Sequence, residues 1–160
     1  MTSDILINKL KETNIPYCNF DKSPPSPAGN YGAIKIHKDL AYISGQMPFT
    51  GIGILYPSHQ ELTNHIDINE IGYKASQIAV FNAFLQLVKN KSISEVKSIV
   101  KVEGFFRHIE GTNLPKMLDG ASDLITNIFP DNEFHARTVY GVTSLPYNAF
   151  VELSIIAEIE

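Results

Sequence analysis

Residues 136–159 read ARTVYGVTSLPYNAFVELSIIAEI. Ala136–Val142 and Phe150–Ile159 are strand-like runs, and Leu145-Pro146-Tyr147-Asn148 between them is a turn signal. In the second run Val151, Leu153, Ile155, Ala157 and Ile159 share one face, the period of a strand with one side in a core. Ile156 lies on the other face beside Glu152 and Ser154, and Val139 and Tyr140 put apolar atoms on both faces of their own strand. Helices cover only one face of such a sheet, so the second is expected to pack against another subunit. Within this apolar stretch sits Arg137, the only Lys or Arg after Lys116. A guanidinium stays charged at any ordinary pH and must meet an anion where it is buried. Glu152, expected on the adjacent return strand, is the nearest internal candidate; the alternative is an anionic ligand.

Working outward, Ser3–Asn14 has the apolar spacing of a short helix, and Pro16–Asn30, with Pro16, Pro24, Pro25 and Pro27, is restricted to extended or irregular backbone. A hairpin is expected from Gly32–His37 through a Lys38-Asp39 turn to Leu40–Ser44. Gly45–His65 contains Gly45, Pro48, Gly51, Gly53 and Pro57 and reads as one long irregular loop. Asp67 caps a helix running to about Lys89, with Glu70 in capping-box spacing. Glu95–Phe106 reads as a strand, and Leu114–Phe129 as a second helix capped by Thr112 or Asn113, with Pro115 in its first turn. Paired strands around two long helices predict an α+β fold, a mixed sheet with both helices on one face and a short N-terminal helix beside them.

The chain has 160 residues, a length expected to form one domain over 1–160, with residues 1–30 as an N-terminal helix and Pro-rich extension. A hydrophobic content of 44% against 19% charged residues is that of an ordinary globular protein. The net charge of −4 and the absence of a Lys/Arg cluster argue against nucleic acid as a partner. Cys18 is the only cysteine, which excludes an internal disulfide. No apolar run approaches the ~18 residues of a membrane span, and Ser3–Asn14 is too charged for a secretory leader, so cytoplasmic residence is the expectation.

Ile43-Ser44-Gly45-Gln46-Met47-Pro48 reads as a strand stopping at Gly45, which frees a hydroxyl and backbone N–H groups able to hold an oxyanion, a carboxylate or water; a plain strand-ending turn is the simpler reading. Tyr31, at the hairpin entrance, can line a ligand site or serve as a hydrophobic cap. Arg137 and Glu152 are either a structural ion pair across a hairpin or part of a binding site. His37, His59, His65, His108 and His135 are scattered without ligand spacing, so no metal is expected; His135 stands near Arg137, where it can polarise a ligand. Cys18 has no adjacent base and is not expected to be a nucleophile.

Ser44-Gly45-Gln46-Met47-Pro48, Gly120-Ala121-Ser122, and His135-Ala136-Arg137 through Leu145-Pro146 to Val151-Glu152-Leu153 together resemble the reactive-intermediate (enamine/imine) deaminase family. These are the YjgF-type, endoribonuclease L-PSP-like proteins, and the resemblance, to a longer-chain subgroup, runs from about Tyr31 to Glu160. It implies a chorismate-mutase-like fold, a homotrimer with its sheets packed in a central barrel, and active clefts between subunits. It further implies hydrolysis of enamine and imine products of pyridoxal-phosphate enzymes to 2-keto acids and ammonia, without a cofactor. On that analogy Arg137 binds the substrate carboxylate bidentately, a charge-assisted contact of about 1.5–3 kcal/mol. Ser44-Gly45 orients the substrate, Tyr31 lines the cleft, and Glu152 positions or activates water.

Two positions depart from the family pattern: Val139 replaces a cysteine two residues after the arginine, and Asp119-Gly120 replaces an asparagine of the second helix. Two other functions fit the same resemblance. One is a non-catalytic trimer binding a small carboxylate metabolite; the other, an endoribonuclease acting as a translation inhibitor, conflicts with the acidic charge balance.

Overall fold

The computed structural model describes residues 1–18, 23–55, 67–132 and 134–160. The chain opens with helix α1 (Ser3–Glu12), then the antiparallel pair β1 (Ile34–His37) and β2 (Leu40–Gln46). A small ribbon, β3 (Phe49–Thr50) and β4 (Gly53–Ile54), precedes helix α2 (Ile68–Lys89). Strand β5 (Val96–Arg107), helix α3 (Leu114–Ile128), strand β6 (Ala136–Val142), a single helical turn at Pro146–Asn148 and strand β7 (Val151–Ile159) complete it.

The five-stranded sheet has the order β1-β2-β7-β5-β6. Only β5 and β6 run parallel, and α3 is the crossover that such a pair requires. The expected hairpin between β6 and β7 is therefore not formed. Residues 143–150 pass over the end of β5, where the Arg107 N–H donates to the Phe150 carbonyl and the His108 N–H to that of Val142. β7 then inserts between β5 and β2, antiparallel to both.

The alternation read from β7 holds. Val151, Leu153, Ile155, Ala157 and Ile159 are buried under α2 and α3, while Glu152, Ser154 and Ile156 are half-exposed on the far face. That far face carries aromatic rings no helix covers: Tyr42 is 41% and Tyr140 46% exposed, the latter stacked on Phe105. α1 packs on the helical layer through Leu6 and Leu10, both buried. α2 and α3 meet closely. A Cβ on Gly120 would lie 2.1 Å from the Tyr73 carbonyl oxygen, and one on Gly72 would lie 2.2 Å from the Met117 sulfur. The Ser76 hydroxyl, 2.8 Å from the Met117 carbonyl, ties the helices at this notch.

Two local expectations are corrected. Asp67 caps α2 by accepting from the Asn69 N–H, but Glu70 does not complete a capping box and pairs instead with Lys74, one turn on. The segment after Gly45 is not wholly irregular, since β3 and β4 form a tight ribbon whose turn places Gly53 at φ 142°, a conformation open to glycine alone. Residues 56–65 of the expected loop lie outside the described residues. Asn113, rather than Thr112, caps α3 by accepting from the Lys116 N–H. Among the described residues no helix is long and apolar enough to cross a membrane.

Candidate functional site

The register of β2 on β7 slips between Ile43 and Gln46, and this irregularity carries Ser44 and Gly45. The Glu152 carboxylate lies in the space a side chain at Gly45 would take: a Cβ there would stand 2.0 Å from the Glu152 Oε1. The strand does not stop at Gly45 but continues through Gln46. Nor is the Ser44 hydroxyl free, because it donates to the Gly32 carbonyl at 2.7 Å while the Ser44 N–H donates to that of Ala33 at 2.9 Å. These bonds fix the strand entrance beside Tyr31, whose ring is 55% exposed and whose hydroxyl accepts from the Ala28 N–H at 3.4 Å. Glu152 is half-buried, and burial raises its pKa above the ordinary carboxylate value. Among the described residues no cation and no hydrogen-bond donor meets it.

Arg137 stands elsewhere. It lies on edge strand β6, in register with Val102 of β5, whereas Glu152 is in register with Phe105 on the other side of β5. Val102 and Phe105 are an odd number of residues apart, so their side chains point to opposite faces, as do those of Arg137 and Glu152. The ion pair weighed from the sequence is therefore excluded within one chain. Arg137 points to the helical side, where its Nη1 donates to the Asp119 Oδ1 at 2.6 Å and to the Ser122 hydroxyl at 3.1 Å. The Ser122 hydroxyl also lies 3.0 Å from the His135 Nε2. Burial, and secondarily the Arg137 charge, lowers the His135 pKa and favours the neutral ring. Behind them the Tyr73 hydroxyl donates to Asp123 at 2.8 Å; burial first, then that bond and the nearby acids, push its pKa up to about 12.

A pocket of about 510 Å³ opens at the β1–β2 edge, walled by Tyr17, Cys18 and residues from Ser23 to Tyr31, by the 47–51 ribbon and by α2. Tyr31, Ser44 and Gly45 are on its wall; Arg137 is not. Two amides one turn apart on α2 hold its sides. Asn82 donates from Nδ2 to the carbonyls of Met47 and Phe49, at 2.9 and 3.0 Å, and Gln86 donates to that of Pro25 at 2.7 Å. Cys18 also lines the pocket, but burial pushes its thiol up to about 12, so it is not a thiolate. Among the described residues no group of three or more His, Cys, Asp or Glu side chains is placed to hold a metal; His59 and His65 lie outside them.

Of the residues that the sequence reading grouped as one site, the fold gathers Tyr31, Ser44, Gly45 and Glu152 at one end of β2 and β7 and places Arg137 on the other face of the sheet. The sequence reading missed the roles of Asp119, Asn82 and Gln86. The signal for the amides was present: two polar residues at helical spacing inside the otherwise apolar run Ile78–Leu87 must be hydrogen-bonded if that run is buried.

A sheet of this order with two helices on one face, and a candidate site divided between its two faces, defines the class of protein. Residues 24–159 match the family described as "YjgF/chorismate mutase-like, putative endoribonuclease", and the chain belongs to that family. It is 27% identical over 136 residues to the "Putative regulator AldR" of Lactococcus lactis, covering 85% of this chain and 92% of that one. The Agrobacterium tumefaciens protein Atu1372, of unknown function, superposes with a TM-score of 0.77 at 27% identity, covering 99% of this chain and 94% of that one. A protein described as a "putative endoribonuclease" from Shewanella oneidensis superposes with a TM-score of 0.79, also at 27% identity, covering 96% and 98%.

Proposed function

We propose that the protein hydrolyses 2-imino acids and their enamine tautomers to 2-oxo acids and ammonia. The site is a cleft of a homotrimer, where Arg137 of one protomer meets Tyr31, Ser44, Gly45 and Glu152 of the next. The observation that carries this reading is the Glu152 carboxylate, half-buried, without a partner among the described residues, and made more basic by burial. A carboxylate in that state takes a proton from water more readily than an exposed one.

In the proposed reaction the substrate carboxylate binds Arg137, displacing Asp119 from the guanidinium. That pair is exposed enough to exchange: Arg137 is 31% and Asp119 46% exposed, and such pairs contribute at most about 1 kcal/mol. Glu152 takes a proton from water as its oxygen bonds to the imine carbon. In the neutral carbinolamine formed from the protonated imine, Glu152 passes that proton to the amine nitrogen. The C–N bond then breaks to release ammonia as the hydroxyl oxygen becomes the new carbonyl, and the hydroxyl proton passes to Glu152 and on to solvent. Iminium hydrolysis proceeds in water unaided, so positioning and one base suffice. The test is imine hydrolysis, with the imine generated in place by an amino-acid oxidase or dehydratase. Rates unchanged in Arg137→Ala would end the proposal.

A second reading, a carboxylate-binding module without turnover, is favoured by the regulator name of the Lactococcus relative. Stabilisation by 2-oxo acids without any acceleration of imine hydrolysis would select it. An endoribonuclease activity, borrowed from the family description, has the net charge of −4 against it. Its test is RNA degradation abolished by Glu152→Gln.

A further inference from the structure

The pocket shares Tyr31, Ser44 and Gly45 with the cleft proposed above, and its size exceeds what a small imino acid fills. At about 510 Å³ it is within the range of sites that enclose drug-sized ligands, and an alanine-derived imine would leave most of it to water. Its chemistry is specific. Tyr31, Met47, Phe49, Phe81, Leu85 and Tyr147 line it, and among the described residues no charged side chain does. The Phe49 and Tyr147 rings meet edge to face at 5.5 Å.

The amides in its wall are turned to the backbone. Asn82 spends its Nδ2 donors on Met47 and Phe49, and Gln46 donates to the Ser44 carbonyl at 3.0 Å. Aromatic and aliphatic side chains make up the larger part of the wall and share it with Ser23, Ser26, Ser44 and Thr50, and Asn82 and Gln86 pin its sides. The aromatic and aliphatic part of such a wall favours a ligand part that is itself apolar.

We propose that this pocket receives the side chain of the substrate, and that the preferred substrates are imino acids bearing an aromatic or long aliphatic side chain. This rests on the deaminase reading for the position of the reacting carbon, near Gly45 and Glu152, but the preference itself comes from the pocket.

The experiment compares hydrolysis of the imines generated from phenylalanine and from alanine by an amino-acid oxidase, alongside thermal shifts with phenylpyruvate and pyruvate. The expected result is a kcat/KM preference of about tenfold or more for the phenylalanine-derived imine, the scale on which apolar pockets discriminate. Ala28→Trp, at the exposed lip, should bring the two imines towards parity by lowering only the larger one's rate, and Phe49→Ala should reduce the preference by loosening one wall. Equal rates, or a preference for the alanine-derived imine, would overturn the proposal. If neither imine is hydrolysed the deaminase reading falls, and the thermal shifts decide the pocket alone. A larger shift by phenylpyruvate that Ala28→Trp removes supports it; equal or absent shifts reject it.

Discussion

Arg137 and Glu152 stand on opposite faces of one sheet, with β5 between their strands and their register partners Val102 and Phe105 pointing opposite ways. No side-chain motion within a chain brings them to a common ligand, so any site using both must join two copies. The aromatic face bearing Tyr42 and Tyr140, which no helix covers, has the composition for such a contact.

This relationship predicts complementation. Arg137→Ala and Glu152→Gln should each lower imine hydrolysis at least a hundredfold, the low end of what a positioned base contributes. Unfolding the two variants together and refolding them should restore about a quarter of wild-type activity, the share of random interfaces with both residues intact. Activity of the refolded mixture no higher than that of either variant would place the two residues in separate sites.

The raised Glu152 pKa sets two pH dependences. Hydrolysis needs the carboxylate, so kcat/KM should fall as pH drops through the raised value, and the fall should be absent in Glu152→Gln. For stability the sign reverses. Below the ordinary carboxylate pKa the group is protonated both folded and unfolded and costs nothing. As pH rises through the raised folded value the buried charge destabilises the fold. Glu152→Gln should therefore raise Tm at pH 7 and leave it nearly unchanged at pH 4, measured by thermal melts at both.

Asp119 competes with any anionic ligand for Arg137. Asp119→Asn should keep a hydrogen-bonding side chain beside the guanidinium while removing the competing charge. Affinity for a 2-oxo acid should rise by up to about fivefold, corresponding to an exposed ion pair of at most about 1 kcal/mol. Isothermal titration at low salt measures it, and the gain should shrink as salt screens the pair.

The α2–α3 notch tolerates no side-chain atom at Gly120. A Cβ 2.1 Å from the Tyr73 carbonyl forces the helices apart, so Gly120→Ala should cost roughly 1–3 kcal/mol in urea unfolding. Asn82→Ala strips donors from the Met47 and Phe49 carbonyls and should cost a comparable ~1–3 kcal/mol if these stay dry. Of the two, only Asn82→Ala should also weaken the preference for phenylpyruvate over pyruvate.

The sequence by itself determined the three helices, the five strands of the main sheet and which of their faces are buried, though not the β3–β4 ribbon. Helix α2 begins after Asp67 and ends at Lys89, as its cap and apolar spacing require, and the alternation in β7 sorts Leu153 from Glu152. These are local properties, set by backbone periodicity and by side chains a few residues apart. The Ser44-Gly45 and Glu152 signals were likewise legible, because a glycine at a strand irregularity and an acid on an apolar strand are unusual without a reason.

Only the tertiary structure decided what those residues face. A strand, a turn and a strand read alike whether they close a hairpin or cross the end of a third strand, and the choice rests on β5, some forty residues earlier. That choice moved Arg137 from a neighbour of Glu152 to the opposite face and gave it Asp119 as its anion. The pocket was illegible for the same reason. Its walls come from four separated segments, and the amides joining them are paired by folding, not by sequence spacing.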